Sequence, residues 1–425
     1  IPEIDTVLFL RPTESLTIFL QQLGRGLRLH DSKDCLTVLD FVGNAHVSYD
    51  FEMKFRALIG KTNTTVEKEI EHDFMHLPLG CSIVLEKKAK EVILANIRKA
   101  TSVSKRDLIA KVQQFINHTH LPLTLANFLY IYQLNIKKVY RRITWSALCY
   151  EANKLNCYDD RYEQNYRSML CNKWAATNSL SYFKFLLYVA EQNFDTTKIP
   201  HTEENELMLC MLHYDFWKEV APDASLASSI AVIGQNETYV QEIKEYLSYR
   251  IDQIDFEEIE CPDLGYAQPL RLHARYTRDQ ILVAFRLSTL QKKSSNREGV
   301  AENKELNTEI LFINLQKSEE DFSPTTLYDD YAINEMLFHW QSQNNTADTS
   351  PKGQSYINHE VAGKQILLFI RESKKDSYDN TNGYVFVGPV QFQSYQGSKP
   401  MSITWQLEEP IPEYLWQESA KMAVG

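Results

Sequence analysis

No run of about 18 apolar residues, the length that a membrane-crossing helix needs, occurs in the 425 residues, and the first residues carry neither a basic segment nor a small-residue cleavage pattern. A chain that neither spans a membrane nor is exported by that route is expected. Cysteine is sparse: Cys35, Cys81, Cys149, Cys157, Cys171, Cys210 and Cys261 are odd in number, scattered, and never in a C-x-x-C arrangement. That pattern suggests neither a disulfide framework nor a zinc knuckle, and a reducing cytoplasm fits it best. Positive charge is in deficit, with a net charge of −11 and a pI near 5.6. Indiscriminate binding of nucleic acid or anionic membrane is disfavoured, so a polyanion site has to be focused. The G-x-S-x-G elbow and the local signatures of Cys/His nucleophiles are also missing, which argues against a serine or cysteine hydrolase.

What is present can bury a large core: 44% of residues are hydrophobic and 12% aromatic. The length suggests two or three domains. Residues 1–60 alternate strand and helix signals. "TVLFL" (Thr6 to Leu10) and "CLTVLDFVG" (Cys35 to Gly43) read as buried strands, and Glu14 to Arg28 as a helix whose apolar face is Leu16, Phe19, Leu20, Leu23 and Leu27. That pattern predicts an α/β region with a parallel sheet. Residues 61–261 read as helices, a bundle built from segments such as "AKEVILANI", "LSYFKFLLYVA" and "NELMLCMLHYDFW". The bundle carries Lys87, Lys88, Lys90, Arg98, Lys99, Lys105 and Arg106, and then Lys137, Lys138, Arg141 and Arg142 around Tyr140. Such charges either keep helix faces solvated or track phosphates, since basic residues with interleaved aromatics suit single strands.

Pro262, Gly265 and Pro269 mark a boundary, and residues 262–425 read as mainly β. "TEILFINL", "KQILLFIRE", "GYVFVGPVQFQSY" and "PMSITWQL" are strand-like, so a strongly curved sheet or a small β-barrel is expected, with "YTRDQILVAFRL" as a flanking helix. Lys292 to Glu305, Asn344 to Gly353 and Ser373 to Asn382 read as polar loops with little fixed order.

The stretch "FLQQLGRGLRL" (Phe19 to Leu29) stands out. Arg25 and Arg28, three apart on a helix, share a face and can approach one polyphosphate together, because guanidinium forks stay charged and match phosphate oxygens. Gly24 and Gly26 inside a helix each cost about 1 kcal/mol relative to alanine, which calls for a functional or packing reason.

Gln21, Gly24, Arg25 and Arg28 resemble the sixth motif, Q-x-x-G-R-x-x-R, of superfamily-two helicases, and "IPEIDTVLFLRPTESLTIFLQQLGRGLR" resembles the end of the second motor lobe of type III restriction-like DEAD/DEAH helicases. The resemblance implies a partial RecA-like lobe over residues 1–60. It implies Arg25 and Arg28 as arginine fingers on ATP held by another lobe, Gln21 at the nucleotide, Gly24 within the motif, and Thr13 near the nucleic-acid path. The chain departs from that family in having no G-x-x-x-x-G-K-[ST] loop and no DEAD/DEAH acidic box for magnesium. ATP and Mg²⁺ would then bind only in a complete protein, together with the missing lobe, and this chain alone should not hydrolyse ATP. "LPLGCSIVLEKKAKEVILANI", "DFSPTTLYDDYAINEMLFHWQSQ", "LLFIRESKKD" and "GSKPMSITWQLEEPIPEYL" resemble an uncharacterised domain that follows the helicase core in bacterial helicases, some of which begin with a phospholipase-D-like nuclease domain.

Within the β region, "FHWQSQ" with Tyr276, Arg278, Arg371, Tyr384, Tyr395 and Trp405 offers stacking faces and amides that suit an unpaired or modified base. The same aromatics also suit a core. Glu372 and Lys374 in "RESK" echo a PD-(D/E)xK nuclease, but no strand acid precedes them to share a magnesium ion, so no metal site is expected. The reading that results is a multi-domain α/β plus α plus β fragment of a DNA helicase or translocase of a restriction or defence system. Thr13, Lys137, Lys138, Arg141, Arg142, Trp340 and Arg371 are its expected nucleic-acid contacts. Its expected partners are DNA, the ATP-binding lobe of the same protein and a nuclease domain or subunit. The alternative is a non-enzymatic protein-interaction module of a defence complex.

Overall fold

The computed structural model describes residues 5–10, 19, 21–24, 35–41, 51–59, 66–71, 73–74, 77, 81–101, 103–132, 134–221, 223–315, 330–376, 380–412 and 415. The chain divides into two compact units, Ile1–Asp107 and Leu108–Gly425.

In the first unit, β1 (Thr6–Phe9) and β2 (Thr37–Asp40) pair in parallel, with Thr6 opposite Thr37. A parallel pair needs a crossover between its strands. The helical residue Phe19 lies in that connection and packs on β1, its ring centroid 5.2 Å from that of Phe9. Helices α1 (Phe51–Ile59), α2 (Val66–Glu71) and α3 (Lys87–Thr101) follow. Their apolar residues recur four apart, Phe51, Phe55 and Ile59, then Val66 and Ile70, then Ile93 and Ile97, and these close one core. Four-residue spacing keeps each set on one helical face. Helix α4 (Lys105–His118) carries the boundary between the units.

The second unit continues with short helices: α5 (Leu125–Ile131), α6 (Ile136–Tyr140), α7 (Trp145–Glu151), α8 (Glu163–Ser168), α9 (Leu180–Glu191), α10 (Glu203–Trp217), α11 (Leu226–Ala231) and α12 (Glu237–Asp252). Thr124, Asn135, Thr144, Ser179, Thr202, Ser225 and Asn236 each accept a backbone N–H at a helix start. Such caps satisfy N–H groups that would otherwise be orphaned, which helps helices this short to persist. Between α8 and α9, Met169–Lys173 form a π-helical turn.

Eight strands complete the unit: β3 (Arg275–Tyr276), β4 (Val300–Asn303), β5 (Thr308–Asn314), β6 (Tyr331–Asn334), β7 (Leu337–Gln341), β8 (Gln365–Arg371), β9 (Tyr384–Gln396) and β10 (Ser402–Leu407). They run β4-β5-β8-β9-β10-β7-β6, with β3 also paired to β9. The β5–β8 pair is parallel and the other pairs are antiparallel. The sheet is open at β4 and β6, so the barrel alternative is not what forms. A small up-and-down barrel needs an unbroken antiparallel meander, and the parallel β5–β8 pair interrupts one.

Strands β5 and β8 are buried on both faces, which explains their continuous apolar runs. One face carries Trp340, Tyr356 and Trp405, and the other a ring cluster in which Phe369 stacks on Phe386 at 4.5 Å and meets Phe285 at 6.0 Å. Phe285 closes α13 (Arg278–Ala284), the expected flanking helix, which starts at a Thr277/Gln280 capping box. Two expected loops hold regular structure: Lys292 to Glu305 contains β4, and Asn344 to Gly353 runs into α14 (Pro351–Ile357). Ser350 caps α14 and Pro351 occupies its first turn, so the end of this expected loop is a helix start.

Helices and sheet interlock within this unit. Tyr276 donates to Ser179 Oγ at 2.9 Å, and the Arg275 backbone N–H donates to Asn178 Oδ1 at 2.6 Å. The buried Asp215 carboxylate of α10 accepts from Trp174, from Tyr182 of α9 and from Gln280 of α13, at 2.9 to 3.1 Å.

Candidate nucleic-acid interface

Of the motif residues, Gln21 and Gly24 are helical and exposed, whereas Thr13, Arg25 and Arg28 lie outside the described residues. The Lys54 ammonium, 4.2 Å from the Phe19 centroid, also pairs with Asp40 of β2, so the start of this helix is tied to both strands. Among the described residues, a Cβ on Gly24 would meet nothing within 4 Å, so packing against them does not demand that glycine.

The β region keeps Trp340 and Arg371 inside, whereas Tyr395 is 39% exposed. Trp340 is 5% exposed, its ring centroid 5.3 Å from that of Tyr356 and 6.3 Å from that of Trp405. Arg371 is buried over the Tyr384 ring and donates to Asn314 Oδ1 at 2.5 Å and to the Asn382 carbonyl at 3.2 Å. Glu372 accepts from Arg275 at 2.9 Å. A strand acid is in fact present, Glu309 on β5, but it stands opposite Ile366 at the far end of β8 from Glu372. Glu309 and its cross-strand neighbour Glu302 are paired with Lys352 and Lys364, a mutually neutralised set. Among the described residues, no three His, Cys, Asp or Glu side chains are placed to hold a metal ion, and no helix is long and apolar enough to cross a membrane.

Part of the basic run behaves differently. Lys137 is half-buried against Asp376, and burial pushes its ammonium down. Lys138 is partly exposed and Arg142 exposed. Arg141, the C-cap of α6, lines a polar cavity of about 550 Å³. Around it stand Gln164, Asn165, Arg167 and Ser168 of α8, Cys171 and Asn172 of the π-helical turn, Lys218 after α10, and Asn380 from the β8–β9 connection. Among the described residues of the wall, three side chains are cationic, Arg141, Arg167 and Lys218.

The local backbone is irregular where these side chains converge. A π-helical turn widens the helix by one residue and is a feature of functional sites. Lys218 (φ 63°) ends α10 and Tyr162 (φ 60°) starts α8, both left-handed, which is costly for residues with a large side chain. Burial pushes the Lys218 ammonium down, and Lys173 and Lys293 push it further. Burial pushes the Cys171 thiol up, while Arg141, Lys137 and Arg167 pull it back. The Asn380 side-chain nitrogen is buried without an acceptor. Such an arrangement can hold an oxyanion: guanidinium forks and an ammonium supply charge, and an amide supplies a directed donor. Arg167, Lys218 and Asn380 sit far apart in sequence, in segments with no basic or amide run to mark them. Only the "KKVYRR" run pointed here.

Residues 270–419 match the family described as "Domain of unknown function (DUF3427)", a span that takes in α13, α14 and the whole sheet. A stretch of 46 residues is 50% identical to "Putative ATP-dependent helicase IRC3" of Saccharomyces cerevisiae. This chain carries a helicase-related stretch. The match amounts to 11% of this chain and 7% of that protein, so the chain spans a small part of the relative. Apart from Asn380, the residues that line the cavity precede the matched domain.

Proposed function

We propose that the chain is the C-terminal part of an ATP-dependent DNA helicase or translocase, a bacterial superfamily-two motor of a restriction or defence system. Arg25 and Arg28 reach ATP and Mg²⁺ held by a separate lobe, with Gln21 and Gly24 at the nucleotide. The observation that carries this is the Q-x-x-G-R-x-x-R motif, of which Gln21 and Gly24 are helical and follow Phe19 packed on the first strand of a parallel pair, in a chain that shares a stretch with a protein named a helicase. The exposed Gln21, and a Gly24 that packing does not require, fit a surface reserved for a nucleotide. Recognition of DNA falls to the cationic cavity, with Lys138 and Arg142 beside it, rather than to Trp340 and Arg371.

The test is DNA-stimulated ATP hydrolysis by a complete protein with and without Arg25→Ala and Arg28→Ala, beside this chain alone. Arginine fingers are worth about 10³–10⁵ in kcat. The variants should therefore lose turnover with little change in KM, and this chain alone should be inactive. Full turnover by the variants, or hydrolysis by this chain alone, would rule the reading out.

A further inference from the structure

We propose that Lys54 is a positioning residue for the arginines of the Q-x-x-G-R-x-x-R motif, setting their helix on the parallel strand pair through a buried cation. The inference rests on the function proposed above, since it ties Lys54 to the same ATP chemistry.

Four segments distant in sequence meet at this one ammonium. Lys54 stands on α1, between the core residues Phe51 and Phe55. Its Nζ lies 4.2 Å from the ring centroid of Phe19, 5.9 Å from that of Phe9 on β1, and against the carboxylate of Asp40 on β2. Phe19 is 2% exposed, and the motif residues Gln21 and Gly24 follow it in helical conformation.

The Lys54 side chain is only 8% exposed, and lysine is seldom buried to that degree unless it is paired. An ion pair taken out of water gains little stability over apolar side chains of the same size. Packing alone would therefore favour a methionine or leucine between α1 and the strands. What the cation adds is direction. The Asp40 carboxylate fixes where the ammonium lies, and attraction to the ring face fixes where Phe19 lies relative to it. The motif helix thus takes its position from β2 as well as from β1.

Arginine fingers need such a constraint. They act on charge that develops on the transferred phosphoryl group, and a displacement of about 1 Å can cost about 10² in rate. Phe19 precedes Arg25 by six positions, and the helix that the sequence leads one to expect as far as Arg28 would carry a tilt at Phe19 to both arginines.

The test is ATP hydrolysis by a complete protein, stimulated with single-stranded DNA, with Arg25→Ala as the reference. Lys54→Met keeps length and removes charge. It should lower kcat by about 10- to 100-fold and leave KM within about twofold, because Lys54 acts through the helix and does not bind ATP. Lys54→Arg keeps a cation that can lie over a ring and pair with a carboxylate, so it should restore most of the turnover. The double variant Lys54→Met/Asp40→Leu removes both charges together, a change that is often neutral or stabilising. Its Tm should stay at or above that of the wild-type protein while kcat stays low. A lysine with a merely structural role would make turnover follow Tm.

Wild-type turnover in the folded double variant overturns the positioning role, as does a loss that Lys54→Arg fails to restore. A double variant without a cooperative melt makes Lys54 a folding residue and overturns the role as well. If Lys54→Met alone fails to fold, the double variant decides. Lost turnover in Arg25→Ala beside full turnover in the double variant removes the role of Lys54 and leaves the proposed function standing. Full turnover in Arg25→Ala removes that function itself, and the positioning role with it.

Discussion

Asp215 shows how one side chain holds the second unit together and what that costs. Its carboxyl is buried among Trp174, Tyr182 and Gln280, and burial pushes its pKa from 3.8 up to about 6, although Lys173 and the three donors oppose the shift. A carboxyl with a higher pKa in the folded state binds an extra proton there between those two values. Its stabilising contribution is therefore full below pH 3.8 and is lost as pH rises through about 6. At about 1.36 kcal/mol per pKa unit, the swing is about 3 kcal/mol. Asp215→Asn cannot titrate, so the stability advantage of the wild-type protein over this variant should shrink by about that amount between pH 4 and pH 7.5 in chemical denaturation. A difference independent of pH would mean that the carboxyl stays ionised throughout. Nothing in "HYDFW" announces this role, because it depends on Trp174 and Gln280 arriving from elements distant in sequence.

At the scale of the element, the motif helix and the β7 strand show which sequence signals carried through. The two strands at the start of the chain were readable because β-branched and apolar residues cluster in "TVLFL" and "LTVLDFV", and these do form parallel strands, although Leu8, Leu39 and Phe41 are exposed rather than buried as expected. Trp340 was ambiguous for a physical reason: alternation along "FHWQ" gives the same pattern whether the inward ring meets a core or a base, and here it meets Tyr356 and Trp405. The cavity was harder to read, since a π-helical turn and two left-handed residues have no periodic signature. Gly24 separates structure from function within one helix. Its missing Cβ spares no neighbour, so Gly24→Ala should stabilise the first unit by about 1 kcal/mol, seen as a raised Tm. On the function proposed above, the same change in a complete protein should lower ATP turnover, because it adds bulk where that proposal puts the nucleotide. A variant both less stable and fully active would show that the glycine serves the local backbone instead.

For the whole molecule, the decisive fact is that helices and sheet from Leu108 onward form one compact unit, whereas composition changes near Pro262. The change in composition marks a change of secondary structure, and the packing continues across it. Ser179, Asn178 and Asp215 all precede that point and bind Tyr276, Arg275 and Gln280 beyond it. At Gly383, a Cβ would come 2.3 Å from the Ala176 carbonyl oxygen, so the first residues of β9 are fitted against the turn before α9. A fragment beginning at Cys261 would leave these groups without partners, and each buried polar group left unsatisfied costs about 1–3 kcal/mol. That fragment should therefore lack a cooperative melt, whereas one beginning at Val103, which keeps α4 whole, should melt cooperatively. Binding should divide the same way. Arg141, Arg167 and Lys218 all precede Cys261, so the longer fragment alone should bind single-stranded DNA. Release of counterions from the strand makes log K fall with log salt by about 0.7 per phosphate neutralised, so a pocket with three cations predicts a slope near −2 in anisotropy titrations. A cooperative, DNA-binding fragment from Cys261 would place recognition in the sheet. A slope near zero in the longer fragment would point to an apolar protein contact as the business of this surface.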